Sequence, residues 1–128
     1  MILVVDASAV GAMLFEEPEA DTIRAHIRGE TVLAPQLIDY ELANICWKRA
    51  RRQPEAEVAT LAMLAAVALV SMTRVKVPPA EVASLAIRTG LTAYDAAYLW
   101  LAMAKNAELI TLDRGLARVN AQLRELPW

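Results

Sequence analysis

The side chains of this sequence best suited to chemistry are carboxylates, and four of them stand at informative places. Asp6 closes the apolar run Ile2-Leu3-Val4-Val5, and Asp113 closes Leu109-Ile110-Thr111-Leu112. Asp95 and Lys105 are the only charges between Ala93 and Asn106, and Glu41 flanks the apolar face set by Ile38, Leu42 and Ile45. Acids near an interior with no internal cation repel one another: two unit charges ~4 Å apart do so by about 4 kcal/mol at an effective dielectric near ~20. A bound divalent cation would offset that repulsion, and all-oxygen ligation points to Mg²⁺ or Mn²⁺ rather than Zn²⁺. Other chemistries lack their residues. A single cysteine, Cys46, excludes an internal disulfide framework and a cysteine-built zinc site, and a single histidine, His26, removes most histidine-based catalysis.

These acids need elements to hold them. Ile2–Val5, β-branched at three of its four positions, reads as a strand buried on both faces. Further short strands are expected at Thr31–Ala34, Val75–Val77 and Glu108–Leu112. Helices are expected at Ser8–Phe15, Pro18–Arg28, Gln36–Arg52, Pro54–Val70, Ala80–Thr89, Ala93–Asn106 and Arg114–Leu123. Pro18 and Pro54 suit first turns, Gly29 and Gly90 suit helix stops, and Thr92 suits a cap. Strands alternating with helices, without hairpin signals, specify an α/β domain with a mostly parallel sheet. Ligands of such sheets bind beyond the carboxyl ends of the strands. Asp6 and Asp113 emerge there together if their strands lie near the sheet centre.

At 128 residues, 57% hydrophobic and 22% charged, the chain is expected to form one domain over residues 1–128 with a sizeable core. A net charge of −2 lacks the basic footprint of a nonspecific nucleic-acid binder, but it permits an enzyme that touches nucleic acid locally. Asp6 interrupts the apolar start and no basic region precedes it, so no signal peptide is read and the expected compartment is the cytoplasm. The longest uncharged stretch, Val58–Thr73, is shorter than the about 18–20 residues of a membrane span. It reads as core, with a partner interface as the alternative. Ala93–Asn106, apolar almost all round, should be buried.

Each acid also has a purely structural role open to it. Asp6 and Asp113 are placed to cap the helices that follow them, and Thr92-Ala93-Tyr94-Asp95 fits a capping box with Asp for the usual Glu. Glu41 could be a surface acid paired with a nearby base. Capping and metal binding are compatible, since one carboxylate can do both. What carries information is the coincidence of all four at one expected edge.

The set resembles the PIN-domain ribonucleases, and within them the VapC-type toxins of toxin–antitoxin pairs. The likeness rests on Ile2-Leu3-Val4-Val5-Asp6-Ala7-Ser8, Tyr40-Glu41-Leu42-Ala43-Asn44, Leu109-Ile110-Thr111-Leu112-Asp113 and, most specifically, Gly90-Leu91-Thr92-Ala93-Tyr94-Asp95-Ala96-Ala97-Tyr98. It implies a three-layer α/β/α domain and an endoribonuclease dependent on Mg²⁺ or Mn²⁺. Asp6 and Asp95 match the positions most directly tied to metal, and Glu41 and Asp113 the remaining acids. Ser8 and Thr111 match polar positions beside them. By helix spacing alone Asn44, one turn from Glu41, is placed to orient it, although a plain surface asparagine is the favoured reading. The resemblance also implies a VapB-like antitoxin as partner and a homodimer. A metal-activated water would leave a 5′-phosphate on the RNA product.

The competing readings are a PIN-fold RNA- or protein-binding module without catalysis and a phosphohydrolase of another α/β family. A haloacid-dehalogenase-like site would want a second Asp at position 8, which is Ser. A receiver domain would want paired acids after the first strand. Lys48, Arg49, Arg51 and Arg52 either guide RNA or form a solvated helix end that satisfies the helix dipole. For Trp47, Trp100 and Trp128, packing in a core or interface is favoured over stacking on bases.

Overall fold

The structure is a computed structural model and describes residues 1–125; Trp128 lies outside the described residues. Four parallel strands form one sheet in the order β3-β2-β1-β4, from β1 (Ile2–Val5), β2 (Thr31–Pro35), β3 (Thr73–Val75) and β4 (Glu108–Ile110). Consecutive strand residues point to opposite faces. Leu3, Val4 and Val5 are all buried, so both faces of β1 are covered. The helices are α1 (Ala7–Leu14), α2 (Ala20–Ile27), α3 (Ile38–Arg52), α4 (Glu57–Ala66), α5 (Pro79–Thr89), α6 (Ala93–Ala104) and α7 (Arg114–Arg124). Helix α1 packs on both α2 and α3, and α3 on α4, whereas α5 and α7 pack on α6, which itself lies against β1, β2 and β4. The result is a three-layer α/β/α arrangement.

Helix α6 is buried as its composition predicts, with Ala96, Ala97, Tyr98, Leu99, Leu101 and Ala102 in the core. Cys46 is buried too. Gly90 ends α5 at φ 78°, a left-handed conformation that costs glycine nothing.

Four expectations need correction. Strand β4 is an edge strand, not a central one, and it ends at Ile110, so Thr111 and Asp113 belong to the following turn. Strand β3 lies two residues earlier than Val75–Val77. Its sequence alternates equally well in either window, and pairing with Leu33–Pro35 together with the Arg74–Asp39 ion pair decides the register. The segment Pro54–Val70 is not one helix but 3₁₀ turns at Pro54–Ala56 and Val67–Leu69 flanking α4. Nor is α4 core: only Thr60 of its residues is buried, and Val58 is 81% exposed. Small alanine side chains present little area to bury, so a lack of charge alone does not place a helix inside.

Among the described residues, no helix is long and apolar enough to cross a membrane.

Candidate active site

The parallel topology decides where the four acids go. A helix that returns between parallel strands runs antiparallel to them, so its N-terminus lies near the carboxyl edge of the sheet. Asp6 is the N-cap of α1 and Asp113 the N-cap of α7, while Glu41 and Asp95 occupy the first turns of α3 and α6. Four helix N-termini therefore bring these four carboxylates to that edge, where the positive ends of the helix dipoles favour negative charge.

Asp6 is the anchor. It is 5% exposed, and both its carboxylate oxygens are engaged. Ser8 Oγ donates to Oδ1 at 2.6 Å, the Ala9 N–H donates to the same oxygen at 3.0 Å, and the Thr111 hydroxyl donates to Oδ2. These bonds use three of the about four acceptor directions of a carboxylate. The same hydroxyls accept from the turn after β4: Ser8 Oγ from the Leu112 N–H at 2.9 Å, and Thr111 Oγ1 from the Asp113 N–H at 3.0 Å. Ser8 and Thr111 thus tie the end of β1 to the end of β4 and aim Asp6.

Glu41 is half-buried and accepts a 2.6 Å hydrogen bond from the Tyr98 hydroxyl, which reaches it from the core of α6. Asn44, spaced to orient Glu41, forms no hydrogen bond with it among the described residues; Tyr98 does that work instead. A signal for Tyr98 was present: a tyrosine inside an apolar helix needs a partner for its hydroxyl. Asp95 is partly buried. Its N–H donates to Thr92 Oγ1 at 3.1 Å, but no reciprocal bond from the Thr92 N–H to its carboxylate occurs among the described residues, so the capping box is half formed. Asp113 caps α7 through the Leu116 N–H at 2.9 Å. Gly115 lies so near that a methyl group in place of its hydrogen would sit 3.3 Å from Asp113 Oδ1.

The acids feel one another. Burial pushes Asp6 above the usual carboxylate range; the Ser8, Thr111 and Ala9 bonds oppose that rise, and the charge of Asp113 adds to it. Glu41 is raised by burial, opposed by the Tyr98 hydroxyl, and raised further by Asp95 and Asp6. Asp95 is raised by burial and then by the charges of Asp113 and Asp6. Tyr98 is pushed well above its ordinary value by burial and by its bond to Glu41, so it stays a donor.

Among the described residues, no group of three or more His, Cys, Asp or Glu side chains converges as a finished metal-ligand cluster. The donor chemistry nevertheless fits a hard cation: carboxylate oxygens, two of the acids held by hydroxyls, disfavoured as charges first by burial and then by mutual repulsion that a divalent charge would relieve. Glu41 also borders a cleft of about 490 Å³ with Tyr40, Asn44, Lys48 and Tyr94. His26 lies apart from the acids, in an exposed pair with Glu108 at 3.1 Å. Trp47 is 52% exposed rather than packed, with the Arg51 guanidinium 4.8 Å from its ring centroid, and Trp100 is partly buried.

Comparison with known proteins bears on the family and the fold. A family model described as PIN domain matches residues 3–122. The chain belongs to the PIN-domain family. It is 38% identical over 123 residues to Ribonuclease VapC3 of Pyrobaculum aerophilum, covering 91% of this chain and 93% of that one. It is 34% identical over 116 residues to Ribonuclease VapC9 of Mycobacterium tuberculosis, covering 91% and 89%. The crystal structure of PAE2754 from Pyrobaculum aerophilum superposes with a TM-score of 0.74 at 34% identity, over 93% of this chain and 87% of that one. The PIN domain identified here is thus of the VapC type.

Proposed function

We propose that this PIN domain, a single unit over residues 1–128, is a metal-dependent endoribonuclease and the toxin of a toxin–antitoxin pair. The observation that carries the reading is Asp6, buried at the carboxyl edge with both oxygens held by the Ser8 and Thr111 hydroxyls, within the electrostatic reach of Asp95, Asp113 and Glu41. The VapC ribonuclease relatives support RNA as the substrate.

Asp6 and Asp95 would hold Mg²⁺ or Mn²⁺, with Asp113 and Glu41 completing the acidic set directly or through water. Such an ion supplies charge neutralisation at a scissile phosphate and a water of lowered pKa. The residues do the rest. Ser8 and Thr111 fix the Asp6 carboxylate and oppose the rise that burial imposes on it. Tyr98 does the same for Glu41, leaving its second oxygen free to accept a proton from an attacking water. With no histidine at the site, the 2′-hydroxyl has no base of that kind, and hydrolysis leaves a 5′-phosphate.

A VapB-like antitoxin and a homodimer are proposed as partners. Val58, Leu61 and Leu69 expose apolar surface around α4 that a partner would cover. The proposed compartment is the cytoplasm. A second reading, a PIN-fold binding module without turnover, is favoured by the absence of a converged three-acid cluster among the described residues. Incubating cellular RNA with the purified protein in Mg²⁺, Mn²⁺ or chelator separates the two. Metal-dependent cleavage to 5′-phosphate ends, abolished by Asp6→Asn, is expected. RNA binding without such cleavage would establish the module instead.

A further inference from the structure

Leading from Glu41 toward the far end of α3, exposed aromatic rings and cations share one surface. Tyr40, Asn44 and Lys48 recur every four residues and line one cleft with Glu41 and, from α6, Tyr94. At 1.5 Å per residue, Tyr40 and Lys48 stand ~12 Å apart along the helix. Lys48 also borders two adjoining clefts, one with Trp47, Arg51 and Arg52 and one with Phe15, Arg49 and Arg52. One lysine therefore joins the acidic site to the basic end of the helix.

The exposed rings are not scattered. Among the described residues the strongly exposed aromatics are Tyr40 (81%), Tyr94 (65%) and Trp47 (52%), and all three lie on this track. A solvated helix end that satisfies the dipole explains the cations. It gives no reason for the bare rings of Tyr40 and Tyr94 beside them, which cost free energy in water, although one face of Trp47 is already covered by the Arg51 guanidinium. Positive charge that tracks a backbone, interleaved with stacking faces, is how single-stranded nucleic acid is held without sequence readout.

We infer that this track binds single-stranded RNA, with an unpaired base stacked on Tyr40 and Tyr94 beside the acidic site and the adjoining phosphate on Lys48. The strand then continues past Trp47 toward Arg51 and Arg52. The inference rests on the ribonuclease reading for the kind of nucleic acid, and it adds which end of the acidic site the strand leaves by. Stacking demands splayed bases, so a duplex does not fit.

The test is fluorescence anisotropy of a labelled single-stranded RNA oligonucleotide with the full chain in chelator, which silences metal-dependent cleavage. Tyr40→Ala and Tyr94→Ala should each weaken binding about 5- to 150-fold, whereas Tyr40→Phe and Tyr94→Phe, which keep a ring face, should stay within about twofold. Lys48→Met should reduce the slope of log K against log salt by about 0.7. All these side chains are exposed, so the fold is expected to survive. Alanine variants that bind like the parent, a duplex bound as tightly as the single strand, or an unchanged salt slope would each overturn the track. So would a cleft that takes a peptide tail in a Tyr40-dependent way while RNA affinity ignores Tyr40. The underlying reading fails separately. Asp6-dependent cleavage with neutral tyrosine variants removes only the track, and tyrosine-dependent binding without cleavage removes only the nuclease.

Discussion

Replacing Tyr98 by phenylalanine deletes one oxygen and leaves the buried ring in place, so it isolates the bond to Glu41. A hydrogen bond to a charged group contributes about 1.5–3 kcal/mol when fully buried. Glu41 is only half-buried, so water can partly replace the hydroxyl, and ~1–1.5 kcal/mol is the expected loss. Unfolding entropy of about 2.1 cal/mol/K per residue gives this 128-residue chain roughly 0.27 kcal/mol/K. The melting temperature should therefore fall by about 4–6 °C at pH 7. The pH dependence has a definite sign. Burial already holds Glu41 above its ordinary range in the folded state, and the Tyr98 hydroxyl opposes that rise. A carboxyl raised on folding costs stability at neutral pH, and the cost disappears as pH falls through the folded pKa. Without Tyr98 the folded pKa climbs further, so the gap between variant and parent should be widest near neutrality and shrink on acidification. The acid limb of RNA cleavage should move to higher pH. Calorimetry across pH and a pH–rate profile read both effects. A variant that melts with the parent at pH 7, or a gap indifferent to pH with an unmoved acid limb, would refute the positioning role.

Other perturbations test neighbouring parts of the account. Thr111→Val keeps the shape but strips a hydroxyl from the buried Asp6 carboxylate and from the Asp113 N–H. It should cost ~1.5–3 kcal/mol by denaturant titration, and Thr111→Ser should recover most of that. Asp95→Asn removes a charge that burial and its acidic neighbours disfavour. In chelator at pH 7 its melting temperature should exceed the parent's, an advantage that fades as pH falls, while any Mg²⁺-induced rise seen in the parent is lost. Gly29→Ala forces a side chain into φ 77° with open space around it. Stability should drop by about 1–2 kcal/mol while the cleavage rate per folded molecule is unchanged. Val58→Glu with Leu61→Glu should shift sedimentation of an associating protein toward monomer without unfolding it, because both side chains are exposed on α4.

Much of the scaffold was legible because local signals and topology agreed. The apolar run before Asp6, Gly90 after α5 and the Thr92 cap each place an element boundary within a residue or two of where it falls. Once the sheet is parallel, helix N-termini at its carboxyl edge follow, and so does the placement of Asp6, Glu41, Asp95 and Asp113. Features that depend on which side of an element faces inward were not legible. An alanine-rich helix has no stripe to reveal that α4 is exposed. Alternation in Thr73-Arg74-Val75-Lys76-Val77 has no phase until Arg74 meets Asp39. Tyr98 stood out as a hydroxyl inside an apolar run, but the identity of its partner, Glu41, 57 residues away in sequence and at 2.6 Å, was not legible. Asn44 had the right spacing from Glu41, but spacing on one helix could not compete with a donor already fixed in the core.

Whether the acids share an ion is most directly read by anomalous diffraction from crystals grown with Mn²⁺. The account predicts a peak bonded to a carboxylate oxygen of Asp6 and one of Asp95, at roughly the 2.0–2.2 Å expected for a hard divalent ion, with Asp113 and Glu41 turned toward it. Saturating Mn²⁺ with no peak at Asp6, or a peak held by acids elsewhere on the surface, would contradict it.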